Sequence, residues 1–361
     1  MRRSLLLLAS IAVLAACGRA STQAAGPAAT PQAAQHQHDQ PAAAVAATEP
    51  TAQADTGDAK VRHNRDFLIS ADSLSAQLAS GRIVVVHVGR SDSAYLAGHV
   101  PGARFLPFSA VATTVNGVPN EFPPVEAMAI FFSRLVIRPD QHIVLYGDDP
   151  GILASRAWVA LDLMGQGERA ALLDGGLVAW RAGNRQVESG PVAVPSIYIP
   201  FEAHWQPQRI VDAAWVRAHL GDTTVAFVDA RPADQFAGAE PPCPPSQASC
   251  AQIPEARRGH LPGARNLYWM DQLVSRENPV LKPMHELHHA LWEAAGANAD
   301  PVTTVVTYCR SGMQASQAYF VARWLGYRDV RLYDGSLIEW SGLPADQYPV
   351  SREAAAGAHV H

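Results

Sequence analysis

The residues with the clearest chemical potential lie at 303–326, TTVVTYCRSGMQASQAYFVARWLG. Positions 303 to 307 are all β-branched, so the segment opens as a buried strand. Phe320, Val321, Trp324 and Leu325 then recur on one face of a helix that Gly326 closes. Cys309 falls at the joint between the two. A thiol there faces converging loop amides and the positive end of a helix dipole, both of which favour thiolate over thiol. Gly312 permits the tight curl such a loop requires. The run Arg310-Ser311-Gly312 is too polar for a core. The pattern therefore predicts a cradle for a sulfur anion, with Cys309 as nucleophile.

The elements that position this loop occur twice. GHVPGAR at 98–104 returns as GHLPGAR at 259–265, 161 residues later, and DGGLVAW at 174–180 returns as DGSLIEW at 334–340, 160 later. Val88-Gly89-Arg90 answers Asp229-Ala230-Arg231 at 141, which implies an insertion of 20 residues between about 238 and 258. So long a period makes each repeat a whole domain. In each copy, segments of mixed polarity (71–80, 212–220) precede apolar runs (83–88, 225–228), and further runs (143–146, 305–308) precede a helix from Leu153 or Met313. This order predicts an α/β fold of two tandem domains, each a parallel sheet with helices on both faces and functional loops at the carboxyl ends of the strands. The expected bounds are 63–190 for the first domain, 191–207 for a Pro-rich linker and 208–350 for the second. The first copy reads YGDDPGILASRAW, which sets Asp148 or Asp149 where the cysteine would fall; acidic groups there repel anionic substrates, so this copy is expected to be structural.

At 361 residues and 48% apolar content the chain can bury a large core. Its net charge is -5, or 26 basic against 33 acidic groups once Arg2 and Arg3 leave with a leader, and no basic stripe suggests nucleic acid. Arg2-Arg3 followed by an apolar run over 5–16 reads as a signal peptide, 1–16, too short to span a bilayer. The following stretch, 17–62, is poor in large apolar side chains and reads as a flexible tether, in which His36, His38 and Asp39 form a solvated patch; 351–361 reads as a loose tail. In an exported protein Cys243 and Cys250, with six residues between them in a Pro-rich stretch, are expected to form a disulfide.

Two resemblances follow from these motifs. Leu14-Ala15-Ala16-Cys17 resembles the lipobox of bacterial lipoproteins, which implies lipid attachment at Cys17, a membrane anchor on the periplasmic side and, with Gly18 rather than aspartate next, the outer membrane. Over roughly 66–348, the paired GH-PGAR segments, the paired DG-W segments, Asp229-Ala230-Arg231 and the 308–313 run YCRSGM resemble the tandem-domain rhodaneses, the thiosulfate and 3-mercaptopyruvate sulfurtransferases. The resemblance implies a non-catalytic first domain, a catalytic second one and a cleft between them. It also implies sulfur transfer through a persulfide on Cys309, from a small-molecule donor to cyanide or a thiol, with no metal or organic cofactor. Arg310, Ser311, Gly312, Met313 and Gln314 would then bind the substrate, the amides of 310–314 holding the anionic sulfur and Arg310 adding positive charge. Arg231 would either meet the substrate anion or orient the loop. His99 and Asp92 are matched to assisting residues of mercaptopyruvate members, together with Ser311, although His260 repeats His99 as a turn residue. Arg310-Ser311 combines one feature of each donor class, and Gln235 replaces a second arginine.

The sequence admits three rival readings. A phosphatase of the C-x5-R type needs an arginine where Ala315 stands. His285-Glu286-Leu287-His288-His289 satisfies H-E-x-x-H, which makes a zinc protease through His285, Glu286 and His289 a minor alternative. The bland reading of that stretch is an amphipathic helix burying Leu287, Leu291 and Ala294. The main alternative is a non-catalytic binding or sulfur-sensing module.

Overall fold

A computed structural model describes residues 64–239, 253–295 and 304–352. Cys17, the 17–62 stretch, Cys243 with Cys250 and the end of the chain lie outside the described residues. The first lobe runs β1 (Leu68–Ile69), α1 (Ala71–Gln77), β2 (Ile83–Gly89), α2 (Ser93–Ala97), β3 (Arg104–Pro107), β4 (Thr113–Val115), β5 (Val118–Glu121), α3 (Val125–Ser133), β6 (His142–Gly147), α4 (Ile152–Leu163), β7 (Ala170–Leu173) and α5 (Gly176–Ala182). The second runs β8 (Ile210–Val211), α6 (Ala213–Ala218), β9 (Val225–Asp229), α7 (Ala233–Phe236), β10 (Arg265–Asn266), α8 (Met284–Ala295), β11 (Thr304–Tyr308), α9 (Met313–Trp324), β12 (Val330–Tyr333) and α10 (Ser336–Gly342). Each lobe holds a five-stranded sheet, ordered β1-β7-β6-β2-β3 in one and β8-β12-β11-β9-β10 in the other. Every pairing within these two sheets is parallel, as the alternating pattern predicts.

Strand register corrects the repeat alignment. Val86 pairs with Arg104 and Val228 with Arg265, while His87 pairs with Tyr146 and Asp229 with Tyr308. The two tyrosine hydroxyls confirm the match, since they accept from the equivalent amides of Val100 and Leu261. His87 therefore stands where Asp229 does, at an offset of 142 rather than 141, and the insertion is 19 residues. Gly147, not Asp148 or Asp149, takes the place of Cys309. The first loop is one residue longer before its helix. A valine run such as 84–86 carries no register of its own, which is why sequence alone slipped by one.

Two further elements depart from the sequence reading. β4 and β5 form an antiparallel hairpin closed by Asn116 and Gly117, both at positive φ, the backbone that an Asn-Gly pair favours. α9 is buried on nearly every side, including Ser316, Gln317 and Arg323, rather than on one apolar face. The cause is α4, its counterpart in the first lobe, which packs against it: Trp158 meets Phe320 edge-on at 5.0 Å between centroids, and Asp162 accepts from Tyr319 at 2.7 Å.

The lobes are also joined by charge. The Arg156 guanidinium, from α4, is wholly buried and holds Asp334 through two hydrogen bonds of 2.6 and 3.0 Å. It also donates to the carbonyl of Asn120 and lies 3.4 Å from the centre of the Phe122 ring. Asp334 accepts in turn from the Phe122 amide at 2.8 Å. Removing one partner strands the other charge in the core, so Arg156→Leu is expected to destabilise the protein by about 3–5 kcal/mol in urea unfolding. Adding Asp334→Asn, which deletes that charge and keeps an acceptor for Phe122, recovers part of the loss.

Candidate active site

β11 is the middle strand of the second sheet, so the loop after it emerges at the centre of the sheet's carboxyl edge. Cys309 directly follows it, and α9 begins four residues on. The curl between them depends on Gly312 at φ +77°, where a Cβ would lie 2.9 Å from the Asp334 carbonyl oxygen and against its carboxylate. Ser336 Oγ accepts from the amides of Cys309 and Gly312, at 3.2 and 3.1 Å, and donates to the Tyr333 carbonyl at 2.8 Å. The Cys309 and Arg310 carbonyls accept from the amides of Leu337 and Ile338 in α10. The loop is thus stitched to the start of α10 along its length.

Backbone amides of Ser311, Gln314 and Ala315 converge on the Cys309 sulfur. Ser311 and Gln314 fall within the expected 310–314 run, and Ala315, in the first turn of α9, lies one residue beyond it. Yet Cys309 is only 1% exposed. Burial pushes the thiol above its ordinary range and outweighs the amides, with Asp229 acting in the same direction as burial. The loop amides act as the sequence reading expects, and burial opposes them. The cradle is built as expected, but the cost of holding a charge away from water is larger than its contribution.

The remaining candidates divide. Ser311, Gly312 and Met313 are buried in the loop and first helical turn, while Arg310 and Gln314 are partly exposed. Arg231 lies beside them but is 2% exposed: its guanidinium donates to both Asp229 oxygens, at 2.6 to 3.1 Å, and to the Gly259 carbonyl at 2.7 Å. Of its two readings this geometry is that of a loop-orienting residue. His99 is not brought to Ser311. It is buried in the first lobe, stacks on Tyr95 and contacts the Tyr95 carbonyl through Nδ1 at 2.7 Å, as His260 stacks on Phe236 and contacts the Phe236 carbonyl. Asp92 is exposed at the start of α2. What Ser311 does meet is Asn120, whose Nδ2 donates to its hydroxyl at 3.0 Å from the hairpin of the first lobe. On α8, Leu287, Leu291 and Ala294 are buried and His285, Glu286 and His289 are exposed. Among the described residues no three His, Cys, Asp or Glu side chains are grouped to share a metal ion.

The first lobe carries the same cradle with different contents. Asp149 accepts from the amides of Gly151 and Leu153, each at 3.1 Å, and Leu153 is the second residue of α4 as Gln314 is of α9. A carboxylate of the chain itself fills the place of the sulfur anion. Burial raises its pKa, with the two amides and Arg90 opposing. The lobes cover each other's loops in matching ways: the Phe122 amide reaches Asp334, and the Leu281 amide reaches Asp174 at 2.9 Å. The pocket left over the first-lobe loop is about 30 Å³, room for a water.

Sequence reasoning quoted Asp229 in a motif without giving it a role, and missed Ser336, Asp334, Arg156 and Asn120. The paired DG-W motifs carried a signal for two of them, since Gly176 in the first copy becomes Ser336 in the second. Arg156 and Asn120 had none, because their partners lie in the other lobe.

Glu121, next to Asn120, has its carboxyl pushed up to about 7 by burial and by Asp334 and Glu339, with Arg156 opposing. A raised carboxyl pKa favours the protonated fold, so the stability it lends is complete below about pH 4.5 and is lost as pH rises through about 7. Glu121→Gln should therefore gain roughly 1 kcal/mol over the parent above pH 7, allowing for solvent screening of a half-buried group, and nothing below pH 4.5. Melting temperature against pH measures this.

The model of the Rhodanese-like domain matches residues 70–183 and again 212–343. The 3-mercaptopyruvate sulfurtransferase of Escherichia coli (strain K12) is 30% identical over 289 residues, covering 78% of this chain and 96% of that protein. A probable 3-mercaptopyruvate sulfurtransferase of Pseudomonas aeruginosa is 32% identical over 287 residues, covering 76% and 94%. The crystal structure of SseA from Escherichia coli, from work on 3-mercaptopyruvate sulfotransferases, superposes with a TM-score of 0.60 at 26% identity, covering 75% of this chain and 98% of that one. With two copies of the domain, a shared fold and relatives matched over nearly their full length, the chain belongs to the tandem rhodanese family of sulfurtransferases.

Proposed function

We propose that this protein moves a sulfane sulfur from thiosulfate or 3-mercaptopyruvate to cyanide or a thiol through a persulfide on Cys309. The observation that carries the reading is the convergence of three amides on one sulfur at the head of α9, in the only lobe with a thiol at that position. In the proposed first half-reaction the Cys309 thiolate attacks the outer sulfur of thiosulfate. The new S–S bond forms as the donor's S–S bond breaks, and sulfite leaves with the electron pair. With 3-mercaptopyruvate the bond broken is C–S, and the pyruvate carbanion takes up a proton. The acceptor then attacks the outer sulfur and restores the thiol. The amides that partly offset burial of the thiolate serve the persulfide anion equally. Arg310 supplies positive charge for the donor's sulfonate or carboxylate, a part that Arg231, engaged by Asp229, is not placed to share.

The test is thiocyanate formation with each donor under steady state. The wild type should turn over with ping-pong kinetics, and Cys309→Ser should lose at least about a thousandfold. A wild type that forms no thiocyanate with either donor would leave a binding or sulfur-sensing module as the better reading.

The same proposal places the protein outside the cytoplasm, anchored by lipid on Cys17, because the leader at 1–16 ends in a lipobox-like run. Cells fed a labelled fatty acid should label the wild type and not Cys17→Ser; equal labelling of both would contradict the anchor.

A further inference from the structure

The hydroxyl of Ser311 stands two residues from the reactive sulfur, and the group that meets it comes from the lobe without a thiol. A serine hydroxyl donates one hydrogen bond and accepts up to two. Asn120 Nδ2 is a donor, so Ser311 Oγ is the acceptor of that contact and its own proton must point away from Asn120. Asn120 is itself firmly held. It sits at φ +67°, a backbone that asparagine tolerates better than most residues, at the end of β5. Its carbonyl is taken by Arg156, which is pinned in turn by Asp334. Asp334 lies directly under Gly312 of the thiol loop. The amide is therefore fixed relative to the loop by a closed chain of contacts through both lobes.

We propose that Asn120 is a positioning residue for sulfur transfer, donating to Ser311 so that the Ser311 O–H is turned into the site as a donor to the anionic group of the sulfur donor. This rests on the sulfurtransferase reading above. It gives the first lobe a direct part in the reaction, as the source of the group that sets the polarity of a hydroxyl in the second.

The experiment compares Asn120→Asp, Asn120→Gly, Ser311→Ala and the double variant Asn120→Gly/Ser311→Ala in full-length protein. The readouts are kcat and KM for thiosulfate, and the rate of Cys309 alkylation by neutral iodoacetamide. Aspartate and glycine both tolerate the left-handed backbone, so the hairpin keeps its shape. Aspartate accepts the Ser311 proton and adds a negative charge, so KM for thiosulfate should rise about tenfold or more, while alkylation of the uncharged Asn120→Gly variant stays within about twofold of wild type. Asn120→Gly should lower kcat/KM by about fivefold, and the double variant should be no worse than Ser311→Ala, because the two residues act through one contact. The inference is overturned by Asn120 variants that match wild type while Ser311→Ala is impaired, by losses that multiply in the double variant, or by alkylation that falls in step with turnover, which would mark general damage to the loop. A wild type without turnover would sink the sulfurtransferase reading itself, an outcome distinct from all of these.

Discussion

A sulfur atom sealed from water carries charge only as far as its surroundings replace the lost solvation. In this protein three backbone amides, one in the loop and two in the first turn of α9, do that work, and they fall short of offsetting burial for the resting thiol. The rest of the second lobe follows from keeping those amides aimed. Gly312 supplies the left-handed turn, Ser336 ties two loop amides to the start of α10, and Asp229, locked by Arg231, lines the neighbouring strand end. On the proposed mechanism a donor brings its electrophilic sulfur to this cradle, and the resulting persulfide anion meets the same amides.

The first lobe reads as a copy in which a carboxyl group of the chain takes the place of the sulfur. Gly147 replaces the cysteine, the loop gains one residue, and the Asp149 carboxylate occupies the amides at the head of α4. What the lobe keeps is its grip on its sibling. α4 packs along α9, Arg156 holds Asp334, and the β4–β5 hairpin lies over the thiol loop with Asn120 on Ser311.

The repeat, the parallel sheets and the strand-loop-helix around Cys309 were legible in the sequence because periodicity and turn residues encode them locally. The register was not: His87 and Asp229 correspond only once strand pairing is known, since a run of valines reads alike at either offset. The hairpin had a signal in Asn116-Gly117, but its flanking strands of three and four residues are too short for alternation to stand out. The state of the thiol was illegible for a different reason. Loop amides are a local feature and could be foreseen, whereas the burial of Cys309 depends on tertiary packing that its own stretch of sequence does not display. Distance in sequence hid Arg156, a lone arginine in an apolar helix whose partner is Asp334.

The central claim is that Cys309 accepts and carries a sulfur atom, and mass spectrometry of the peptide containing it addresses this directly. After incubation with thiosulfate or 3-mercaptopyruvate in the absence of an acceptor, that peptide should gain about 32 Da, one sulfur, and lose it when cyanide is added. A peptide that keeps its unmodified mass with both donors, in protein whose Cys309 alkylates normally once unfolded, would contradict the account.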